Sequence, residues 1–266
     1  MAVTPIDLVV VGATGRLGRL VVREAVLDAR FAVHAVARRP EVVPDIIAGH
    51  ARLKSTGEDL GDCLAQLSDR GRAVVVDVTT AGGTARHAAL CAGAGVPLVV
   101  ATTGLGSSDV AALTNASAAV PVLQAANLSL GAHLLAALAE QAAGRLPDAD
   151  VEIVEVHHRG KRDAPSGTAL MLARSIEAGR GAQAMHALGR SGEAPRVEGE
   201  IGIAAVRGGD VVGEHTVSFF LEGERVELVH RATDRAIFAR GALAAAAFLV
   251  GKAGRLYSMR DVIGIG

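Results

Sequence analysis

In 266 residues, 27 Lys and Arg stand against 28 Asp and Glu, so bulk charge gives no reason to expect nucleic acid or an anionic membrane as partner. Half of the chain is apolar, yet only 2% is aromatic and none of it is Trp, so the core of one large or two modest domains has to be Val, Leu, Ile and Ala, as in packed α/β sheets. No apolar run approaches the ~20 residues of a membrane span. The first strand is expected by Ile6, leaving no room for a signal peptide. Cys63 and Cys91 are isolated, without C-x-x-C spacing, and suit reduced thiols in a cytoplasmic protein without a metal.

Residues 6–11, IDLVVV, read as a strand buried on both faces. Gly12-Ala13-Thr14-Gly15-Arg16-Leu17-Gly18 follows at once and leads into a helical pattern. Strand, glycine loop and helix in this order form a dinucleotide-binding unit: the glycines permit the turn, the approach of a pyrophosphate and close helix–strand packing. The second strand is predicted at 31–36. NAD binding would favour Asp or Glu just beyond it, whereas this chain has Ala37-Arg38-Arg39. Two arginines and a missing acid suit the 2′-phosphate of NADP, so NADPH is expected as the preferred cofactor, with NADH as the alternative.

Further units follow: a helix at 59–67, a strand at 73–78, a loop at 79–83, a helix at 84–94, a strand at 98–101, Ser107 as a helix cap and a strand at 122–125. Repeated strand–loop–helix units predict a doubly wound parallel sheet, with ligands beyond the carboxyl ends of its strands. Ala101-Thr102-Thr103 and Ala125-Ala126-Asn127 stand at two of those ends.

After Asn127 the texture changes. A helix is predicted at 130–143 and a strand at 151–156. Then comes EVHHRGKRDAPSGTA, residues 155–169. His157 and His158 close the strand, Lys161 supplies positive charge, and Asp163-Ala164-Pro165 makes a turn. Ser166 can cap the next helix, whose first N–H groups, at Gly167 and Thr168, can hold an anion at the positive end of the helix dipole. Such a stretch binds an acidic small molecule beside a proton donor. A metal role for the histidines is poor, because adjacent strand residues point to opposite faces. Glu155 is read as structural, and His215 and His230 as core or interface residues. Residues 179–198 are expected to be a polar loop. Residues 199–232 read as hairpin-like strands turning at Gly208-Gly209-Asp210 and Glu222-Gly223, followed by a helix over 235–250.

These blocks resemble the 4-hydroxy-tetrahydrodipicolinate reductase family. The resemblance rests on HHRGKRDAPSGTA at 157–169, RGGDVVGEHTVSF at 207–219, GATGRLG at 12–18, TTGL at 102–105, AANLSLG at 125–131 and MRDV at 259–262. It implies a Rossmann-type nicotinamide-binding domain from 1–127 and 235–266. An inserted α+β substrate-binding domain, 128–234, would carry a mixed open sheet that builds a homotetramer. Carried over by position, His157 corresponds to the proton donor and Lys161 to the catalytic or substrate lysine. His158, Gly167 and Thr168 correspond to residues holding a cyclic dicarboxylate, and Gly12–Leu17, Ala101–Thr103 and Ala125–Leu128 to nucleotide contacts. The chain departs from the family at Ala37-Arg38, where an acid is frequent, and at Val78-Thr79-Thr80-Ala81, where a Phe-Thr-Arg-Pro-like stretch is common.

Both lines predict hydride transfer to a conjugated ring with a proton from His157, and the resemblance implies that loss of water accompanies the reduction. Another acidic-imine or keto-acid reductase on the same scaffold, or a non-catalytic NADP sensor, are the alternatives. A sensor needs the glycine loop but no His157 and Lys161.

Overall fold

The run IDLVVV is strand β1 (Ile6–Val11), with Leu8, Val9 and Val10 fully buried, the pattern of a strand covered on both faces. It belongs to a computed structural model that describes residues 4–43 and 50–265. These fall into two compact units, Met1–Ser129 with Ala236–Gly266, and Leu130–Arg235.

The first unit alternates strands and helices. After β1 come α1 (Arg16–Leu27), β2 (Phe31–Val36), β3 (Leu53–Gly57), α2 (Leu60–Gln66), β4 (Ala73–Asp77), α3 (Ala81–Ala94), β5 (Leu98–Val100), α4 (Ser107–Ser117) and β6 (Val122–Gln124). With β12 (Leu256–Tyr257) from the end of the chain, its sheet is parallel throughout, in the order β12-β6-β5-β4-β1-β2-β3, a Rossmann-type doubly wound arrangement. Valine, leucine and alanine fill the space that aromatics would otherwise occupy, as the composition requires. Two local expectations change. Helix α3 begins at Ala81, so the glycines expected in the loop lie in its first turn. Ser107 does not cap α4: Gly106 holds that place, because Asp109 accepts the Gly106 N–H at 2.9 Å and draws Ser107 inside the helix.

The second unit runs α5 (Leu130–Arg145), β7 (Asp150–His157), α6 (Gly167–Arg180), β8 (His186–Leu188), β9 (Ile201–Arg207), β10 (Gly213–Leu221) and β11 (Glu224–Ala232). The sheet order is β11-β10-β7-β9-β8. Val151, Ile153, Ile201, Ile203, Val217 and Phe219 form its buried face, packed with α5 and α6. The other face leaves Val154, Val206, Phe220 and Val229 exposed. The hairpin expected around Gly208-Gly209-Asp210 does not form. Strand β7 already occupies the centre, with β9 parallel on one side and β10 antiparallel on the other. The turn therefore links two strands that flank a third. Only β10 and β11 make a true hairpin. The polar loop expected at 179–198 contains the end of α6 and all of β8. Arg196 there pairs with Asp150 at 2.7 Å, and Arg190 with Glu152 at 2.8 Å.

The chain then returns to the first unit through α7 (Ala236–Leu249), β12 (Leu256–Tyr257) and α8 (Met259–Val262). Strand β12, which the sequence reading did not contain, pairs with β6 at the edge of the first sheet.

Candidate active site

Two sets of the candidate residues form local sites, one in each unit. In the first, all parallel strands deliver their following loops to one edge. The neighbours of β1 are β2 and β4, so the strand order reverses there, and that is where open α/β sheets bind ligands. Gly12 has φ +87°, a left-handed conformation that favours glycine, and a Cβ there would lie 3.0 Å from Thr79 Cγ2. A Cβ on Gly18 would lie 2.1 Å from the Gly12 carbonyl oxygen, so the helix can approach the loop only without one. The Val36 carbonyl accepts the N–H groups of Gly12 (2.9 Å) and Ala13 (3.2 Å), and the Gly12 carbonyl accepts that of Gly15 (2.9 Å). The Thr14 carbonyl accepts Arg19 Nε at 2.9 Å. Gly15 caps α1 without a side-chain acceptor, so the first-turn amides at Arg16 and Leu17 suit an anion. Arg38 and Arg39 are exposed beyond β2, with no ion-pair partner among the described residues.

Farther along the same edge, the Ala101 N–H donates to the Asp77 carbonyl at 3.0 Å and the Ala125 N–H to the Val100 carbonyl at 3.0 Å. Thr102 is buried, and its Oγ1 has no hydrogen-bond partner among the described residues; Thr103 and Ala126 are exposed. Asn127 Oδ1 accepts the Ser129 N–H at 2.8 Å. The Leu128 side chain is buried in the unit's core. Thr79 donates through both N–H (2.9 Å) and Oγ1 (2.6 Å) to the buried Asp77 carboxylate, which also meets His87 Nδ1 at 2.9 Å. A nicotinamide dinucleotide fits this edge: it has a cradle that a Cβ would fill, an uncapped helix start and an orphaned buried hydroxyl.

The second site gathers at the end of β7. His157 is buried, its Nδ1 bonded to Glu155 Oε2. Glu155 is fully buried and also accepts the Ser166 N–H at 3.1 Å and the Arg207 guanidinium through both oxygens, at 2.8 and 2.9 Å. Ser166 caps α6, its Oγ accepting the Ala169 N–H at 3.1 Å and lying 3.1 Å from His215 Nε2. The His215 ring meets that of His157 edge-on, with centroids 5.2 Å apart. A Cβ on Gly213 would stand 2.9 Å from His157 Nε2, so glycine leaves room for that nitrogen. Lys161 Nζ contacts both oxygens of the exposed Asp163 carboxylate at 2.9 Å. His158 is half-buried, and its N–H donates to the Val211 carbonyl at 2.7 Å. Gly167 opens α6 and is exposed; Thr168 is half-buried.

Burial pushes His157 below its ordinary value; Glu155 opposes that, while the charges of Lys161 and Arg207 add to it. Burial alone would raise Glu155, but hydrogen bonds from Arg207 and His157 outweigh it and hold the carboxyl below its usual range. Burial, joined by His157, takes His215 down to about 4. Lys161 holds Asp163 low. With Nδ1 committed to Glu155, His157 is left with Nε2 for chemistry.

Glu155, Arg207 and His215 were not among the expected site residues. The two-residue spacing already placed Glu155 on the face of His157. Arg207 stands opposite His157 only because β9 pairs with β7, and the hairpin reading hid that. Among the described residues, no cluster of three or more His, Cys, Asp or Glu could hold a metal. None of the helices, among those residues, is long and apolar enough to cross a membrane.

Residues 6–128 match the family described as dihydrodipicolinate reductase, N-terminus, and residues 131–263 the corresponding C-terminus. A 4-hydroxy-tetrahydrodipicolinate reductase of Acinetobacter baumannii is 42% identical over 262 residues, covering 96% of this chain and 95% of that protein. One from Anaeromyxobacter dehalogenans is 44% identical over 269 residues, covering 97% of each. A dipicolinate-bound dihydrodipicolinate reductase from Paenisporosarcina sp. TG-14 superposes with a TM-score of 0.79 at 24% identity, covering 98% of this chain and all of that one, which speaks to the fold.

Proposed function

This chain belongs to the dihydrodipicolinate reductase family, and from that premise we propose how its own residues carry the reaction. The activity is NAD(P)H-dependent reduction of 4-hydroxy-tetrahydrodipicolinate to tetrahydrodipicolinate, a step of diaminopimelate and lysine biosynthesis. The observation that carries the reading is His157: a buried imidazole with one nitrogen committed and the other open, beside a capped helix start and a lysine.

The Met1–Ser129 and Ala236–Gly266 unit binds the dinucleotide, with Gly12–Leu17 around the pyrophosphate and Ala101–Thr103 and Ala125–Leu128 along the nicotinamide side. Leu128 would act there through its backbone. Bound at this edge, the reduced nicotinamide supplies the hydride. Arg38 and Arg39 favour NADPH over NADH, because a guanidinium pairs with a 2′-phosphate. In the Leu130–Arg235 unit, Lys161 and the helix start at Gly167 and Thr168 hold the substrate's carboxylates, with His158 beside them. Asp163 now occupies Lys161 and gives way to the incoming carboxylate. Water leaves from the hydroxylated ring carbon, one hydride adds to the conjugated ring, and the enamine-like carbanion takes one proton from His157 Nε2. The ring thus gains two electrons and two hydrogens.

The exposed apolar face of the second sheet supports a homotetramer built through that face. Two thiols and a need for reduced nicotinamide support a cytoplasmic setting. The test is a coupled assay with the product of dihydrodipicolinate synthase and either NADPH or NADH. Oxidation of the cofactor with that product but not with simple keto acids is the expected result. Turnover of keto acids alone would select the alternative reductase, and sedimentation as a monomer at micromolar concentration would overturn the tetramer.

A further inference from the structure

Glu155 is more than a buried counter-ion. Its two oxygens meet four donor atoms from three different places in the chain. Oε1 takes the Ser166 N–H and one Arg207 nitrogen; Oε2 takes the other Arg207 nitrogen and His157 Nδ1. Two carboxylate oxygens offer about four lone pairs, so none is left over and the side chain cannot rotate. Such a buried ionic cluster is a poor device for stability alone. Taking charges out of water is costly, and apolar residues of equal volume generally serve as well. What the cluster does supply is orientation.

We propose that Glu155 is the positioning residue of this active site: it fixes the His157 ring so that Nε2 alone delivers the proton, and locks that ring to the helix start that holds the substrate's carboxylate. Arg207 is the clamp that keeps Glu155 in place. The inference rests on the reading of His157 as proton donor. After His157 gives up its Nε2 proton, the remaining N–H stays on Nδ1, held by Glu155, and Nε2 is ready to be reprotonated from water. No other tautomer satisfies the buried carboxylate. The same carboxylate reaches Ser166, whose hydroxyl caps α6 and meets His215. Proton donor and anion site therefore move as one body.

The charges around His157 give a signed test. Glu155 faces it from its own strand, Arg207 from β9, His215 from β10 with His230 beyond, and Lys161 from the following loop. Glu155 raises the ring's proton affinity, and Arg207 lowers it. Glu155→Gln keeps the shape but sets an amide NH2 against a donor. It is expected to lower kcat by about 10²–10⁴-fold, the range of general acid–base catalysis, as a histidine that loses its orienting carboxylate no longer presents the right tautomer. The alkaline limb of the kcat profile should move to lower pH, while NADPH affinity is retained. Arg207→Gln should also lower kcat, but it should move the limb the opposite way, to higher pH. A purely structural role gives no reason for opposite signs. In a His157→Gln background, Glu155→Gln should cost nothing further.

Unchanged kcat and limb in Glu155→Gln would overturn the proposal. So would limbs that move the same way in both variants, or an undiminished extra loss in the His157→Gln background. Normal turnover in His157→Gln by itself would remove the proton-donor reading and this inference with it, so that single arm tells the two failures apart. If Glu155→Gln does not fold, the Arg207→Gln limb decides: a shift to higher pH supports the proposal, and no shift or a shift downward ends it.

Discussion

The glycine-loop edge of the first unit and the His157 cluster of the second are built from different material. The first is mostly backbone: a loop shaped by Gly12 and Gly18, helix-start amides, and small residues at strand ends. The second is a knot of charged and polar side chains around one buried carboxylate. The difference fits the tasks proposed for them. A pyrophosphate needs close approach and several weak donors, which a peptide chain without Cβ atoms provides. A proton transfer needs one nitrogen in one place, which only a packed and satisfied side chain provides. The first site is therefore sensitive to added volume and the second to removed charge.

The largest effect should come from His157→Ala, with kcat lower by roughly 10²–10⁴ and NADPH affinity, followed by fluorescence titration, unchanged. Joint loss of turnover and nucleotide binding would break the division between the two regions. Next is Gly18→Ala. Its methyl would lie 2.1 Å from the Gly12 oxygen, so the loop must move, at a cost of about 1–3 kcal/mol that should appear as weaker binding of both nucleotides. Removing Arg38 and Arg39 together should weaken NADPH by about 1–3 kcal/mol and leave NADH nearly unchanged; equal losses would mean that the pair does not read the 2′-phosphate.

A milder effect concerns pH. His215 is held neutral by burial, with its value taken from 6.5 to about 4. The unfolded chain therefore binds the extra proton first, and stability should fall as pH drops from 6.5 towards 4. Urea midpoints for the second unit across that range should show the decline, and His215→Gln should flatten it. The smallest effect is expected from Asp163→Asn. An exposed ion pair is worth about 0–1 kcal/mol, so freeing Lys161 should lower KM by no more than about fivefold. A raised KM would mean that Asp163 helps to hold the substrate instead of yielding to it.

The central strands of the first unit were legible, because parallel strands buried on both faces write themselves as unbroken apolar runs such as IDLVVV and AVVVD, whereas the half-exposed edge strand β3 left no such run. Ser166 as a cap was legible too, since capping is decided within three residues. What escaped depended on pairing between distant segments. Strand β12 is two residues long and exists only against β6. Arg207 enters the His157 cluster because β7 separates β9 from β10, whereas a glycine turn between two strands reads as a hairpin. Glu155 was visible on the right face but looked inert, since nothing local announces that four donors converge on it.

The pairing of β12 with β6, and the packing of α7 on α1, tie the last thirty or so residues to the first half of the chain. A ribosome releases the sequence in one direction, so the contiguous second unit emerges whole while the first still lacks its closing pieces. The insert can therefore complete its charged knot before the sheet that would hold the nucleotide has its last strand. A chain cut short after Arg235 would carry the proposed proton donor with no finished place for the electrons to come from.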